Sequence, residues 1–251
     1  MAKSKKRKFI RYFLLLFWIS VFGWQFYQMN ASGFDESAVL TSDENVTFAE
    51  TEDYLSFISN DDSIKISLLF FPGALVQPEA YAPLARKLAE RGYSVYIQKI
   101  PFRIAITDKM EQEALKIAFV KIKSTSDTKW IVAGHSRGGR MAANYSAQYP
   151  ETISGLILIG TSHPKEKNLT RLKFPVLKIS ASEDGLASPS EIDQFSHNLP
   201  SDTKFVMIDG GNHSQFGFYG FQFGSGSASI SREKQQLITL NEITKYLGTL
   251  N

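Results

Sequence analysis

The sequence predicts an α/β fold: an open, mainly parallel eight-stranded sheet with helices on both faces and no large cap domain. Three observations lead there. From residue 64 onward, short apolar runs alternate with segments of helical periodicity. Two further short apolar runs precede that alternation. At the middle of the chain, Gly134-His135-Ser136-Arg137-Gly138-Gly139 joins the strand-like run Trp130–Ala133 to a helix-like run ending at Gln148.

The N-terminus comes first. Residues 1–11 carry six basic side chains and no acid, whereas residues 12–64 carry nine acids and no base. The net charge of +3 therefore averages unlike segments. From Tyr12 to Trp24 there is no charge, and Phe9 to Tyr27 is mostly Phe, Leu, Ile, Val and Trp. A basic flank followed by such a run predicts a signal anchor over residues 1–30, its bases in the cytoplasm and the following domain outside. The alternatives are a cleaved signal, with Met29-Asn30-Ala31 the nearest small-x-small site, and a soluble amphipathic segment. Residues 31–45 read as an acidic linker, and 46–251 as the globular domain. The basic tail predicts a membrane rather than nucleic acid.

In the domain, the expected strands are Val46–Ala49, Tyr54–Ile58, Ile64–Phe71, Ser94–Ile100, Trp130–Ala133, Gly155–Ile159, Val176–Ser180 and Lys204–Ile208. The expected helices are Glu79–Arg91, Lys109–Lys123, Gly138–Gln148, Pro189–Asn198 and Arg232–Leu247. Ser188-Pro189-Ser190-Glu191 supplies a serine N-cap, a proline at the first helical position and a glutamate able to complete a capping box. No segment between Ile159 and Val176 is long enough for a helical lid. The chain has no cysteine, which excludes disulfides, thiolate metal sites and a cysteine nucleophile.

The G-x-S-x-G pattern in strand–turn–helix context is a nucleophile elbow, with Ser136 on the sharp turn. A serine needs a base, and the base needs an orienting carboxylate. In sheets with this elbow the chain order is serine, acid, histidine, each partner on a loop after a later strand. Asp184 follows the strand ending at Ser180, and Gly185 lets its loop turn; Glu183 is the adjacent competitor, and a plain turn role for Asp184 is the competing reading. Of four histidines, His135 lies inside the elbow and is expected to point away from the base position. His163 precedes the acid, and His197 lies near the end of a surface helix. His213, after Gly210-Gly211, is the remaining choice. The backbone N–H groups of Arg137 and Ala74 are the expected oxyanion donors. No cofactor or metal is implied. Arg137 and Arg140 are read either as groups near the mouth of the site or as a solvated helix face.

With these residues in place, the chain resembles the α/β-hydrolase superfamily, and within it the bacterial alpha/beta hydrolase family 5. The resemblance runs from about Ile64 to Leu247. It rests on Phe70-Phe71-Pro72-Gly73-Ala74-Leu75-Val76 with Pro78-Glu79-Ala80-Tyr81, on the elbow, on Glu183-Asp184-Gly185-Leu186-Ala187, and on Gly210-Gly211-Asn212-His213-Ser214-Gln215-Phe216-Gly217. It implies Ser136 as nucleophile, Asp184 as acid and His213 as base. The aromatic stretch after His213, Phe216 to Phe223, departs from the family pattern and reads as an apolar rim, a bilayer contact or ordinary packing. The expected activity is hydrolysis of a small-molecule or lipid-like carboxylic ester by a membrane-anchored serine hydrolase. An acyltransferase or peptidase with the same triad, and a non-catalytic binding protein on the same scaffold, are the competing readings.

Overall fold

The computed structural model describes residues 2–125 and 127–250, with side chains from residue 7 onward. All eight expected strands form: β1 Val46–Glu50, β2 Tyr54–Ser59, β3 Ile66–Phe71, β4 Ser94–Gln98, β5 Lys129–His135, β6 Gly155–Ile159, β7 Val176–Ala181 and β8 Lys204–Ile208. They make one sheet in the order β1-β2-β4-β3-β5-β6-β7-β8. The pairs β1–β2 and β2–β4 are antiparallel and the rest are parallel. The two early strands thus form an antiparallel entry to a parallel sheet.

Among the described residues, seven α-helices follow: α1 Ala2–Gln28, α2 Glu36–Val39, α3 Ala82–Ala89, α4 Asp108–Lys123, α5 Arg137–Gln148, α6 Pro189–Gln194 and α7 Arg232–Gly248. Two expected helices are broken. Glu79–Arg91 becomes a 3-10 turn, Pro78–Tyr81, ahead of α3, because Pro83 cannot donate to the preceding turn and fits only at a helix start. Pro189–Asn198 becomes α6 and a short 3-10 turn over Ser196–Asn198. Its start is as expected: the Ser188 hydroxyl accepts the Glu191 N–H. Across the acidic stretch before β1, Asp35 caps α2, and the buried Arg86 on α3 binds the carbonyls of Val39 and Thr41 and the carboxylate of Asp43.

Every residue of β3 is buried, as a strand covered on both faces requires. Alternation sends Ile66, Leu68 and Phe70 to one core with α3 and α7, and Leu69 and Phe71 to another with α4 and α5. The loops at the carboxyl ends of β3, β5, β7 and β8 therefore meet along one edge of the sheet, where ligands of such sheets collect. Edge strand β8 leaves Phe205 and Met207 exposed at the solvent face.

Candidate active site

Ser136 stands between the last residue of β5 and the first of α5, with φ 54° and ψ −120°. A non-glycine residue in that region is strained by roughly 1–3 kcal/mol and persists only where its surroundings enforce it. Here they do. Ser136 N–H donates to the Ile159 carbonyl at 2.9 Å, and its own carbonyl accepts from Gly139 and Arg140. The flanking glycines allow the close packing: a Cβ on Gly134 would sit 2.2 Å from the Gly138 carbonyl oxygen, and one on Gly138 would sit 2.0 Å from that of Phe71.

The structure brings Asp184 and His213, the expected acid and base, side by side. Asp184 Oδ2 lies 2.8 Å from His213 Nδ1, and the two residues are 3% and 1% exposed. The other carboxylate oxygen, Oδ1, accepts the N–H groups of Leu186 and Ala187 at 2.9 and 2.7 Å. Glu183, the competitor, is exposed, and its carboxylate accepts from the neighbouring Ser182 hydroxyl. The His213 loop is held from below by α7: buried Gln235 accepts the Asn212 N–H and donates to the Asn212 carbonyl. Among the described residues, His213 Nε2 is buried with no hydrogen-bond partner. Ser136 and His213 line one cleft of about 330 Å³, together with Arg137, Arg140, Thr161, His163, Lys165 and Leu186. A larger hollow of about 750 Å³ lies at the far end of α5, near Pro150 and Leu172, and includes none of the predicted residues.

The two expected oxyanion donors are available. Ala74 N–H has no acceptor among the described residues. Arg137 opens α5, so its N–H is among those a helix leaves unpaired. The Arg137 and Arg140 side chains are neither fully solvated nor free. Arg137 Nη2 donates to the Ala105 carbonyl, and Arg140 approaches buried Glu111 at 3.7 Å. Burial lowers the cleft-lining His163 to about 4, with the Glu166 carboxylate opposing and the Lys165, Arg140 and Lys178 cations adding to it, so it is neutral near pH 7.

One relation is a correction. His135, expected to point away from the base, packs against His213 with ring centroids 4.6 Å apart and ring planes inclined at 43°. Strand alternation puts it on the same face as Ile131 and Ala133, where Tyr81 waits. The Gly73 N–H donates to the Tyr81 hydroxyl at 3.0 Å, and that hydroxyl lies 2.9 Å from His135 Nδ1. The hydroxyl thus bridges the Gly73 N–H and the His135 ring nitrogen. Burial, and then the neighbouring His213, hold His135 well below the ordinary imidazole value, so it stays neutral. Tyr81 thereby ties the Gly73-Ala74 loop to the elbow. Its sequence signal was only its place in Pro78-Glu79-Ala80-Tyr81; nothing linked it to a residue 54 positions away. Tyr81→Phe leaves the Gly73 N–H and His135 Nδ1 buried and unpaired, at about 1–3 kcal/mol per orphaned group. Denaturant unfolding should show that loss; an unchanged midpoint would remove the hydroxyl from the scaffold.

Residues 67–237 match the Alpha/beta hydrolase family. No curated protein matches the chain in sequence. Solved structures share its fold. A predicted CIB-like hydrolase from Thermoplasma acidophilum aligns with TM-score 0.60 at 16% identity, over 79% of this chain and 97% of that one. A soluble variant of monoglyceride lipase from Saccharomyces cerevisiae, in complex with a substrate analog, aligns with TM-score 0.63 at 13% identity, over 84% and 96%. Est1E from Butyrivibrio proteoclasticus aligns with TM-score 0.57 at 13% identity, over 82% and 100%. At such identities these likenesses speak for the fold, while the match over most of the domain speaks for descent: the chain belongs to the alpha/beta hydrolase family.

Proposed function

We propose that the protein is a serine hydrolase of carboxylic esters, held in a membrane by α1. The observation that carries this reading is the buried Asp184–His213 pair at 2.8 Å, whose unpartnered Nε2 shares a cleft with the strained Ser136. The Ser136 hydroxyl adds to the ester carbonyl carbon while its proton passes to His213 Nε2. Asp184 holds the proton on Nδ1 and stabilises the imidazolium that forms. The N–H groups of Ala74 and Arg137 receive the negative oxygen. Collapse expels the alcohol, which takes the proton from His213. Water then repeats the sequence on the acyl-enzyme, losing its proton to His213 and releasing the acid and Ser136. His135 is given a scaffold role instead, since it is buried and its Nδ1 is bonded to Tyr81.

The membrane part of the proposal rests on composition and exposure. Arg7–Gln28 is long and apolar enough to cross a membrane, and none of it is buried in the domain. The basic flank sets the bases in the cytoplasm and the hydrolase domain outside. The likeness to a monoglyceride lipase and to Est1E agrees with an ester substrate.

Fluorophosphonate treatment of the full chain, followed by peptide mapping, tests the nucleophile. The expected product is a single adduct on the peptide bearing Ser136. An intact protein that forms no adduct, or forms it elsewhere, overturns the assignment.

A further inference from the structure

The last turn of α1 and the three residues after it, Met29 to Ala31, are bonded to three loops at the carboxyl edge of the sheet. Gln25 Nε2 donates to the Phe221 carbonyl at 3.0 Å and its Oε1 accepts the Phe223 N–H at 3.1 Å. Gln28 Oε1 accepts the Phe221 N–H at 3.1 Å, and the Gln28 carbonyl accepts the Gly220 N–H at 2.7 Å. The Trp24 ring packs on Phe221 and Phe223, with centroids at 5.8 and 5.9 Å. These are residues of the loop that follows His213. On the loop after β3, Gln77 N–H donates to the Met29 carbonyl and Gln77 Oε1 accepts the Ala31 N–H, both at 2.9 Å. On the loop after β4, the Arg103 guanidinium donates to Asn30 at 2.8 Å and lies 5.0 Å from the Phe26 ring centroid.

Length then sets depth. At ~1.5 Å per residue, the charge-free part of α1, Tyr12–Gln28, extends ~26 Å, and the long side chains of Arg7, Lys8 and Arg11 reach from its start to the headgroups, so crossing the ~30 Å hydrocarbon layer uses the helix as far as Gln28. Gln28 closes that span. Trp24 lies one turn earlier, ~6 Å nearer the bilayer centre. Phe221 and Phe223, seated against Trp24 and half exposed, therefore sit at the hydrocarbon boundary. The loop after β4, bonded beside the end of α1 through Arg103, also exposes apolar groups. Phe102 and Arg103 are both left-handed, at φ 55° and 57°, and this turn holds the Phe102 ring 83% exposed, with Ile106 exposed beyond it. Strain spent on keeping a phenyl ring out of the core marks a contact outside the domain. Residues 99–107 and 214–231 carry no acidic side chain to oppose lipid headgroups. The same loop touches the site, through the Arg137 bond to Ala105 and the Leu75 N–H to the Arg103 carbonyl.

We propose that the carboxyl edge of the sheet is a lipid-facing surface. α1 crosses the bilayer and holds the Ser136 cleft against the same leaflet. Phe102, Ile106, Phe221 and Phe223 enter the headgroup boundary, and the substrate is an ester whose acyl chain stays in the membrane. This rests on reading α1 as a membrane span and Ser136 as the nucleophile.

The chain has no cysteine, so single nitroxide labels can be placed on the full protein without background. Phe102→Cys, Phe223→Cys and, as reference, the exposed Phe205→Cys on β8 are reconstituted in vesicles of phosphatidylcholine and phosphatidylglycerol. Accessibility to oxygen and to a water-soluble nickel chelate is then read by spin resonance. Labels at 102 and 223 should be severalfold more accessible to oxygen than to nickel, with the reverse at 205. Nickel accessibility at 102 and 223 equal to that at 205 overturns the lipid-facing surface. Fluorophosphonate reactivity in the same vesicles reads the nucleophile separately. Shielded labels with an unreactive Ser136 leave the docking standing and end the hydrolase reading; a reactive Ser136 with aqueous labels does the opposite. Faster turnover of a water-soluble acetate ester than of a long-chain ester embedded in the vesicles overturns the substrate class.

Discussion

Ser136→Ala is expected to lower kcat for ester hydrolysis by about 10⁶-fold, and Asp184→Asn by about 10⁴-fold, with the fold intact in both. The Ser136 hydroxyl makes no hydrogen bond among the described residues, so alanine removes the nucleophile without orphaning a partner. It also keeps the φ 54° strain; Ser136→Gly, equally dead, relieves it and should gain about 1 kcal/mol of stability. Asp184→Asn acts differently. Asp184 Oδ1 already accepts the Leu186 and Ala187 N–H groups, so an asparagine keeps its carbonyl oxygen there and turns its NH₂ to His213. His213 Nδ1 must then accept, which moves its proton to Nε2, the atom that should take the proton of Ser136. KM should hardly change, because Asp184 is buried behind His213. Steady-state kinetics check both variants. A loss under tenfold for Asp184→Asn would remove Asp184 from the triad.

The strands were legible because both faces of the sheet are covered. Gly155–Ile159 is apolar throughout, and Ile66–Phe71 is so but for the buried Ser67. Helix ends were less so, since single prolines shift the start: Pro83 moved α3 three residues on from its expected beginning at Glu79. At the site, chain order selected Asp184 and His213, because that order is local to each strand end. Sequence could rank Asp184 above Glu183 but not separate them; burial does. The Tyr81–His135 bond was illegible for a related reason. Alternation along β5 tells which face His135 takes, but not what waits on that face. The aromatic stretch after His213 read as a single feature. Packing divides it: Phe216 and Tyr219 are core, whereas Phe221 and Phe223 face outward against Trp24. That division depends on α1, 193 residues away along the chain, which no local pattern encodes.

Gly138→Ala should destabilise the protein by at least ~3 kcal/mol and abolish hydrolysis, although alanine is the better helix former by about 1 kcal/mol. The added Cβ would meet the Phe71 carbonyl oxygen at 2.0 Å and the Pro72 carbonyl oxygen at 2.5 Å. Both are backbone atoms, so no rotamer change can make room. Either α5 lifts from the end of β3, or the Pro72-Gly73-Ala74 loop is pushed aside. Each movement separates the Arg137 N–H from the Ala74 N–H, the pair proposed to hold the oxyanion. For a chain of this size, ~3 kcal/mol corresponds to a fall in Tm of roughly 6–12 °C. Gly248→Ala, where a Cβ meets nothing within 4 Å, is the matched control and should leave Tm and turnover unchanged or slightly raised. Scanning calorimetry with ester turnover reads both. A Gly138→Ala protein as stable and active as its parent would mean that the elbow tolerates space between α5 and β3. The two oxyanion donors would then not be set by this contact. The close approach at Gly138 is what makes one structural event, helix against strand end, fix the proposed nucleophile and the proposed oxyanion pair together.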